Sequence, residues 1–204
     1  QTLDETQLGD YNGKFAKISV KTRAALMDIL PDKSVGVIEE DVERNIVKIC
    51  KPIGVIGALS PSTNPEATPV IKAINAVKGR NAIIIAPHPR AKFINMTIVN
   101  KMRDSLVKMG APADLVQTMA QPSLGKTEEL MKQCDFILAT GGPGMVKAAC
   151  SSGTQALGDG AGNAVSAVDE TADLIDAAQK IKLSKTLDLA ESCSAANAVI
   201  VVES

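Results

Sequence analysis

A lone thiol, Cys193, stands in the run Ser192-Cys193-Ser194-Ala195-Ala196-Asn197, between a helical pattern and a final apolar strand. Leu, Val or Phe on both sides would mark a cysteine kept for packing. Small polar neighbours instead leave room for a substrate carbon to reach the sulfur. The chemistry open to such a residue is nucleophilic catalysis, which requires the thiolate. An ordinary cysteine, with a pKa of ~8.5, is mostly protonated at neutral pH. No basic side chain adjoins Cys193 in sequence. Activation is therefore expected from backbone dipoles, a bound cofactor or a residue beyond this chain.

Four loops offer partners for that thiol. Gly141-Gly142-Pro143-Gly144 ends one apolar run and opens a helix. Backbone N–H groups and a helix N-terminus can approach a phosphate there, where a Cβ would hold it off. The loop does not have the GxGxxG spacing of the dinucleotide fingerprint. Ser62-Thr63-Asn64 also follows a strand. Asn64 is placed either to cap the next helix, with Pro65 at its first position, or to aim a donor at a substrate oxygen. His88-Pro89-Arg90 stands at a third strand end and Gly158-Asp159-Gly160-Ala161-Gly162-Asn163 at a fourth. Taken by themselves, the residues point to a nucleotide-binding α/β domain carrying a thiol nucleophile.

Alternating strand and helix patterns must position these loops. Short apolar runs of strand length fall at 53–59, 82–86, 115–119, 136–140, 164–168 and 198–202. Between them, Val70, Ile71, Ile74 and Val77 keep helical spacing, as do Ile94, Ile98, Met102 and Leu106. Further helices are expected over 124–132, 145–150 and from about 171. Continuous apolar strands separated by helices indicate α/β architecture, a Rossmann-like parallel sheet with helices on both faces. The segment before residue 50 is different: 34–40 and 45–49 suggest a hairpin or arm with one polar face. The expected divisions are 1–50 for the N-terminal hairpin segment, 51–185 for the nucleotide-binding domain and 186–204 for the start of a second domain.

Composition narrows the function classes. A formal net charge of −1 gives no electrostatic case for nucleic acid or an anionic membrane. One Tyr, three Phe and no Trp leave no stacking platform for single strands. No apolar run approaches the ~20 residues of a membrane span. With a single His and no CxxC among Cys50, Cys134, Cys150 and Cys193, neither a metal site nor a disulfide framework is expected. Cys50, Cys134 and Cys150 are expected to be reduced and buried as small hydrophobes.

Six segments in order resemble the CoA-acylating branch of the aldehyde dehydrogenase superfamily. They are Pro61-Ser62-Thr63-Asn64-Pro65, Pro87-His88-Pro89, Thr140-Gly141-Gly142-Pro143-Gly144, Gly160-Ala161-Gly162-Asn163, Asp169-Glu170-Thr171-Ala172-Asp173 and Cys193. The resemblance runs from about Ser34 to Ser204 and implies the cofactor-binding domain plus the nucleophile strand, as a fragment of a longer enzyme. It implies an aldehyde dehydrogenase-type fold and oxidation of a short aldehyde, with NAD or NADP as cofactor and coenzyme A as acyl acceptor. Cys193 would be the nucleophile, with Thr63 or Asn64 at the oxyanion position. Ser60, Pro61, Ser62, His88, Pro89, Arg90, Thr140, Gly141, Gly142, Met145, Gly160, Ala161 and Gly162 would meet the cofactor. The resemblance also implies a homo-oligomer, a dimer or higher, in a cytoplasmic or bacterial-microcompartment setting.

Hydrolytic relatives carry a glutamate near Gly158 that activates water; glycine cannot, which favours transfer to CoA. They also carry an acidic residue near Ala91, whose absence makes NADP acceptable. Thr186-Leu187-Asp188-Leu189-Ala190 replaces a commoner Phe-Asp-Asn pattern. With Ser192 and Ser194 this makes a smaller, more polar surround that suits a short, polar or even anionic aldehyde such as sulfoacetaldehyde; acetaldehyde and propionaldehyde are the competing candidates. Two other readings stay open: a nucleotide-binding or interaction module without activity, with exposed apolar surface, and a non-acylating dehydrogenase that releases free acid.

Overall fold

The computed structural model describes residues 1–202. It begins with helices α1 (Thr2–Thr6) and α2 (Tyr11–Ala16), one π-helical turn at Lys17–Lys21, and α3 (Thr22–Ile29). A hairpin of β1 (Gly36–Asp41) and β2 (Ile46–Cys50) follows, antiparallel and with one irregularity between Val37 and Glu39. Then come β3 (Val55–Ser60), α4 (Thr68–Lys78), β4 (Ala82–Pro87), α5 (Lys92–Lys108), β5 (Val116–Thr118), α6 (Leu124–Gln133), β6 (Phe136–Thr140), α7 (Pro143–Cys150) and β7 (Ala156–Asp159). The chain closes with β8 (Ala164–Val168), α8 (Leu174–Thr186) and β9 (Ala196–Val201).

Five of these strands form one parallel sheet in the order β5-β4-β3-β6-β7. β3 is central because its side chains are apolar on both faces, with Ala58 opposite Ile85 on one side and Leu138 on the other. Ile56, Ala58, Ile83 and Ile85 pack against Ala73, Ala76 and Val99 on α4 and α5. On the opposite face Leu59, Ile137 and Ala139 meet Leu130, Met131 and Ala149 on α6 and α7. Burial of each Ile or Leu contributes ~1.5–3 kcal/mol.

Several local expectations are corrected. The strand at 164–168 does not extend this sheet: β8 pairs in parallel with β9 in a separate two-stranded sheet, although 164–168 falls within the expected 51–185 segment. Asn64 does not cap α4, whose first turn starts at Thr68 behind Ala67, with Pro69 inside it. α8 begins at Leu174, where Asp173 caps it by accepting from the amides of Ile175 and Asp176. Cys134 is buried as expected, but Cys50 is only half-buried and Cys150 is exposed. Exposed Val37, Ile46, Val47 and Ile49 on the hairpin, and Val199, Ile200 and Val201 on β9, give the chain apolar surface. Among the described residues no helix is long and apolar enough to cross a membrane.

Candidate active site

Strand order reverses at β3: the chain proceeds to β4 and β5 on one side, then returns to β6 and β7 on the other. The connections leaving β3 and β6 therefore diverge over opposite faces, and a crevice opens at their carboxyl ends. A cleft of about 610 Å³ lies there. Pro61, Ser62, Thr63 and Asn64 line it from the end of β3, and His88 from the end of β4. Thr140, Gly141 and Gly142 come from β6, Gly160 and Ala161 from beyond β7, and Cys193 from the turn before β9. The thiol is exposed at this cleft.

The remaining candidates separate. Ser60, Pro89 and Met145 line an adjoining pocket of about 140 Å³ that shares Gly141 and Gly142. Gly162 lies behind the nucleophile, where an added Cβ would come within 3.5 Å of the Cys193 carbonyl oxygen. Arg90 is exposed and lines neither pocket. Ala91 is fully buried, so position 91 presents no side chain with which to choose between NAD and NADP. His88 accepts from the Arg90 amide through Nδ1, and burial, with Arg90 nearby, pushes its pKa down.

The cleft fits a dinucleotide. A Cβ on Gly142 would meet nothing within 4 Å, so the space over the α7 N-terminus is open, and no side chain caps that terminus. The Oγ of Ser60 and the Oδ1 of Asn64 are buried without a hydrogen-bond partner among the described residues. Asn64, released from capping, lines the same cleft as the thiol.

Sequence reasoning missed the charged residues of the site. Lys72, from α4, reaches the cleft and donates to the carbonyls of Leu59 at 2.7 Å and Leu138 at 2.8 Å. Burial lowers its pKa to about 7, against a weaker pull upward from Asp159, which lines the same cleft. An unfolded chain would hold this proton up to about 10.5. Between pH 7 and 10.5 the unfolded state therefore binds more protons, and the stability contribution of Lys72 rises with pH. In NMR of isotopically methylated lysines, one resonance is expected to titrate near pH 7 and to vanish in Lys72→Met. A Lys72 midpoint near 10.5 would contradict this.

Gly158 stands where no carboxylate can be placed without rearrangement, since even a Cβ would come within 2.4 Å of Val146 Cγ1. The next residue, Asp159, lines the cleft, as does Glu191.

A buried charge cluster borders the cleft, which Lys17 also lines. Asp188 accepts from Lys17 and, at 2.9 Å each, from Lys14 and the Asp10 amide. Lys14, Lys17 and Asp188 are each buried. Burial raises the Asp188 pKa, but the lysine hydrogen bonds outweigh it and hold the carboxyl below its usual range. Burial pushes Lys17 down despite its bond to Asp188. Glu66 sits nearby, buried, with both oxygens unpartnered among the described residues and its pKa raised by burial. The approach of Asp188 requires glycine at position 13, where a Cβ would lie 2.4 Å from the Asp188 Cα. Above this cluster Lys21 donates to Ser192 Oγ at 3.0 Å and Ser194 Oγ at 3.1 Å, on either side of Cys193. The nucleophile loop thus has basic partners within this chain, contrary to the expectation from its sequence neighbours.

Comparison with known proteins agrees with this arrangement. The aldehyde dehydrogenase family model matches residues 15–204. The chain is 52% identical over 202 residues to a sulfoacetaldehyde dehydrogenase of Acholeplasma sp, covering 99% of this chain and 42% of that protein. It is 43% identical over 200 residues to a succinate-semialdehyde dehydrogenase (acetylating) of Clostridium kluyveri, covering 98% and 44% respectively. It superposes with a TM-score of 0.81 on a crystal structure of Rhodopseudomonas palustris propionaldehyde dehydrogenase with bound CoA and an acylated cysteine. That match is 33% identical and covers 98% of this chain and 46% of the other. The chain spans less than half the length of the curated relatives it matches. By the family match over residues 15–204, with a thiol at the switch-point cleft of its parallel sheet, the chain belongs to the aldehyde dehydrogenase family.

Proposed function

We propose that the protein oxidises a short aldehyde to its acyl-CoA with NAD or NADP. The observation that carries this reading is one cleft shared by Cys193, Asn64 and the open Gly141-Gly142 turn. The Cys193 sulfur attacks the aldehyde carbon, forming a thiohemiacetal whose oxygen faces the Asn64 amide. An oxyanion donor of this kind is worth ~3 kcal/mol of barrier. Ser60, Ser62, Thr140, Gly141 and Gly142 would hold the dinucleotide, with His88, Pro89 and Met145 along its adenosine side. When bound, the oxidised nicotinamide supplies a hydride acceptor. Loss of hydride from the former aldehyde carbon leaves an acyl thioester on Cys193. The CoA thiolate then attacks that carbonyl, the acyl–sulfur bond to Cys193 breaks, and the enzyme thiolate is regenerated. Glycine at 158 leaves the thioester without the glutamate that activates water in hydrolytic relatives.

An aldehyde with a small anionic tail fits the surroundings of the thiol. Lys21 presents its ammonium between Ser192 and Ser194, and sulfonate or carboxylate tails belong to the substrates named for two similar enzymes. The exposed apolar faces of the hairpin and β9 support self-association. Strand pairing supports a boundary of the cofactor domain before β8, nearer 160 than 185.

The test is reduced-nicotinamide formation from sulfoacetaldehyde and from propionaldehyde, each with and without CoA. Turnover is expected only with CoA, and faster with sulfoacetaldehyde. Equal rates without CoA, with free acid as product, would overturn the acylating assignment.

A further inference from the structure

All three ammonium protons of Lys17 are committed, and their acceptors belong to two different turns of the active site. Lys17 donates to Asp188 Oδ2 and, at 3.3 Å, to the Glu191 carbonyl, both shortly ahead of Cys193. It also donates at 3.1 Å to the Thr63 carbonyl, the residue before Asn64. Lys14 repeats the span, at 2.8 Å to the Thr63 carbonyl and 2.9 Å to Asp188. The turn leading to the nucleophile is left-handed at three successive non-glycine residues, Asp188, Leu189 and Ala190, with φ of 53°, 53° and 66°. L-residues keep such a run only when surrounding contacts hold it.

We propose that Lys17, seconded by Lys14, is a positioning residue that fixes the Cys193 turn at a set distance from the Thr63-Asn64 turn. The proposal rests on Cys193 as nucleophile and Asn64 as oxyanion donor, and it goes further by making the N-terminal helix part of the active site. Lys17 touches neither reacting atom in this role. It lines the cleft and pins the two halves of the site together through one buried nitrogen.

Two reactions of the same thiol separate positioning from general integrity. With p-nitrophenyl acetate, the Cys193 sulfur bonds to the acyl carbon and p-nitrophenolate leaves with the electron pair of the broken carbon–oxygen bond. That reaction passes through an oxyanion. Alkylation by iodoacetamide displaces iodide and develops no oxyanion. In Lys17→Met the acylation rate is expected to fall roughly tenfold or more, since a displacement of ~1 Å can cost a factor of ~100. Alkylation of Cys193, read by peptide mass spectrometry with exposed Cys150 as internal reference, should stay within about threefold. Asp188→Asn keeps the shape and loses the charge, and is expected to shift the same ratio in the same direction. It decides the matter if Lys17→Met does not fold.

An unchanged ratio in the folded variant, or equal loss of both rates, would overturn the proposal. Acylation that persists in Cys193→Ser would overturn it differently, by removing the nucleophile on which it rests.

Discussion

Cys193→Ser is expected to abolish thioester formation while leaving dinucleotide binding intact. A serine hydroxyl is a far weaker nucleophile than a thiolate, and removal of a nucleophile costs roughly 10³–10⁶ in rate. The dinucleotide would be held by the β3 and β6 turns and the start of α7, none of which depends on the thiol. The chain has no Trp, so calorimetry is the suitable readout of binding. Affinity within about twofold of the parent, with no aldehyde-dependent reduced nicotinamide, is the expected result. Retained turnover would remove Cys193 from the mechanism. Lost binding would mean that the thiol supports the cleft itself.

Asp188→Ala should produce the largest loss of stability. It strips the shared anion from two buried ammonium groups and leaves the Asp10 amide without its acceptor. Breaking one side of a buried ion pair typically costs about 3–5 kcal/mol. Leu189 and Ala190 would lose the tether of their left-handed turn, a conformation costing about 1–2 kcal/mol per residue. For a domain of this size each kcal/mol lowers the melting temperature by roughly 2–4 °C, so a drop on the order of 10 °C is expected. Scanning calorimetry checks this. A change below about 1 kcal/mol would show that the cluster contributes little to the fold, whatever its effect on rate.

Most of the parallel sheet is legible because β3, β4 and β6 are short apolar runs ended by Pro or Gly at the edge where the ligand crevice opens, whereas β7 runs into a glycine-rich loop and does not read as a strand. Periodicity sees local repetition, and it placed Thr63, Asn64, His88, Gly141 and Cys193 on loops that do converge. It cannot tell which sheet a strand joins, and β8, apolar like the others, pairs instead with β9. Asn64 was ambiguous for a related reason: an Asn-Pro pair resembles a helix start, and only the real start at Thr68 frees its side chain.

The charge cluster was illegible for a different reason. Lys14, Lys17 and Lys21 share one helical face, a visible spacing, but solvated lysine stripes are common. Their partners on the nucleophile turn stand more than 170 residues away, as for Lys14 and Asp188 with a separation of 174. Only the fold brings them together. The left-handed run at 188–190 has no glycine to announce it. Lys72 likewise has no distinguishing sequence neighbours, and only the fold sets its ammonium on two strand carbonyls.

The most direct test is the mass of the Cys193 peptide after mixing protein, aldehyde and oxidised dinucleotide without CoA. An acyl adduct on Cys193 is expected, stable on the timescale of turnover and discharged when CoA is added, with acyl-CoA as product. An adduct on another cysteine, no adduct at all, or release by water as fast as by CoA would contradict Cys193 as the thioester-bearing nucleophile of an acylating enzyme.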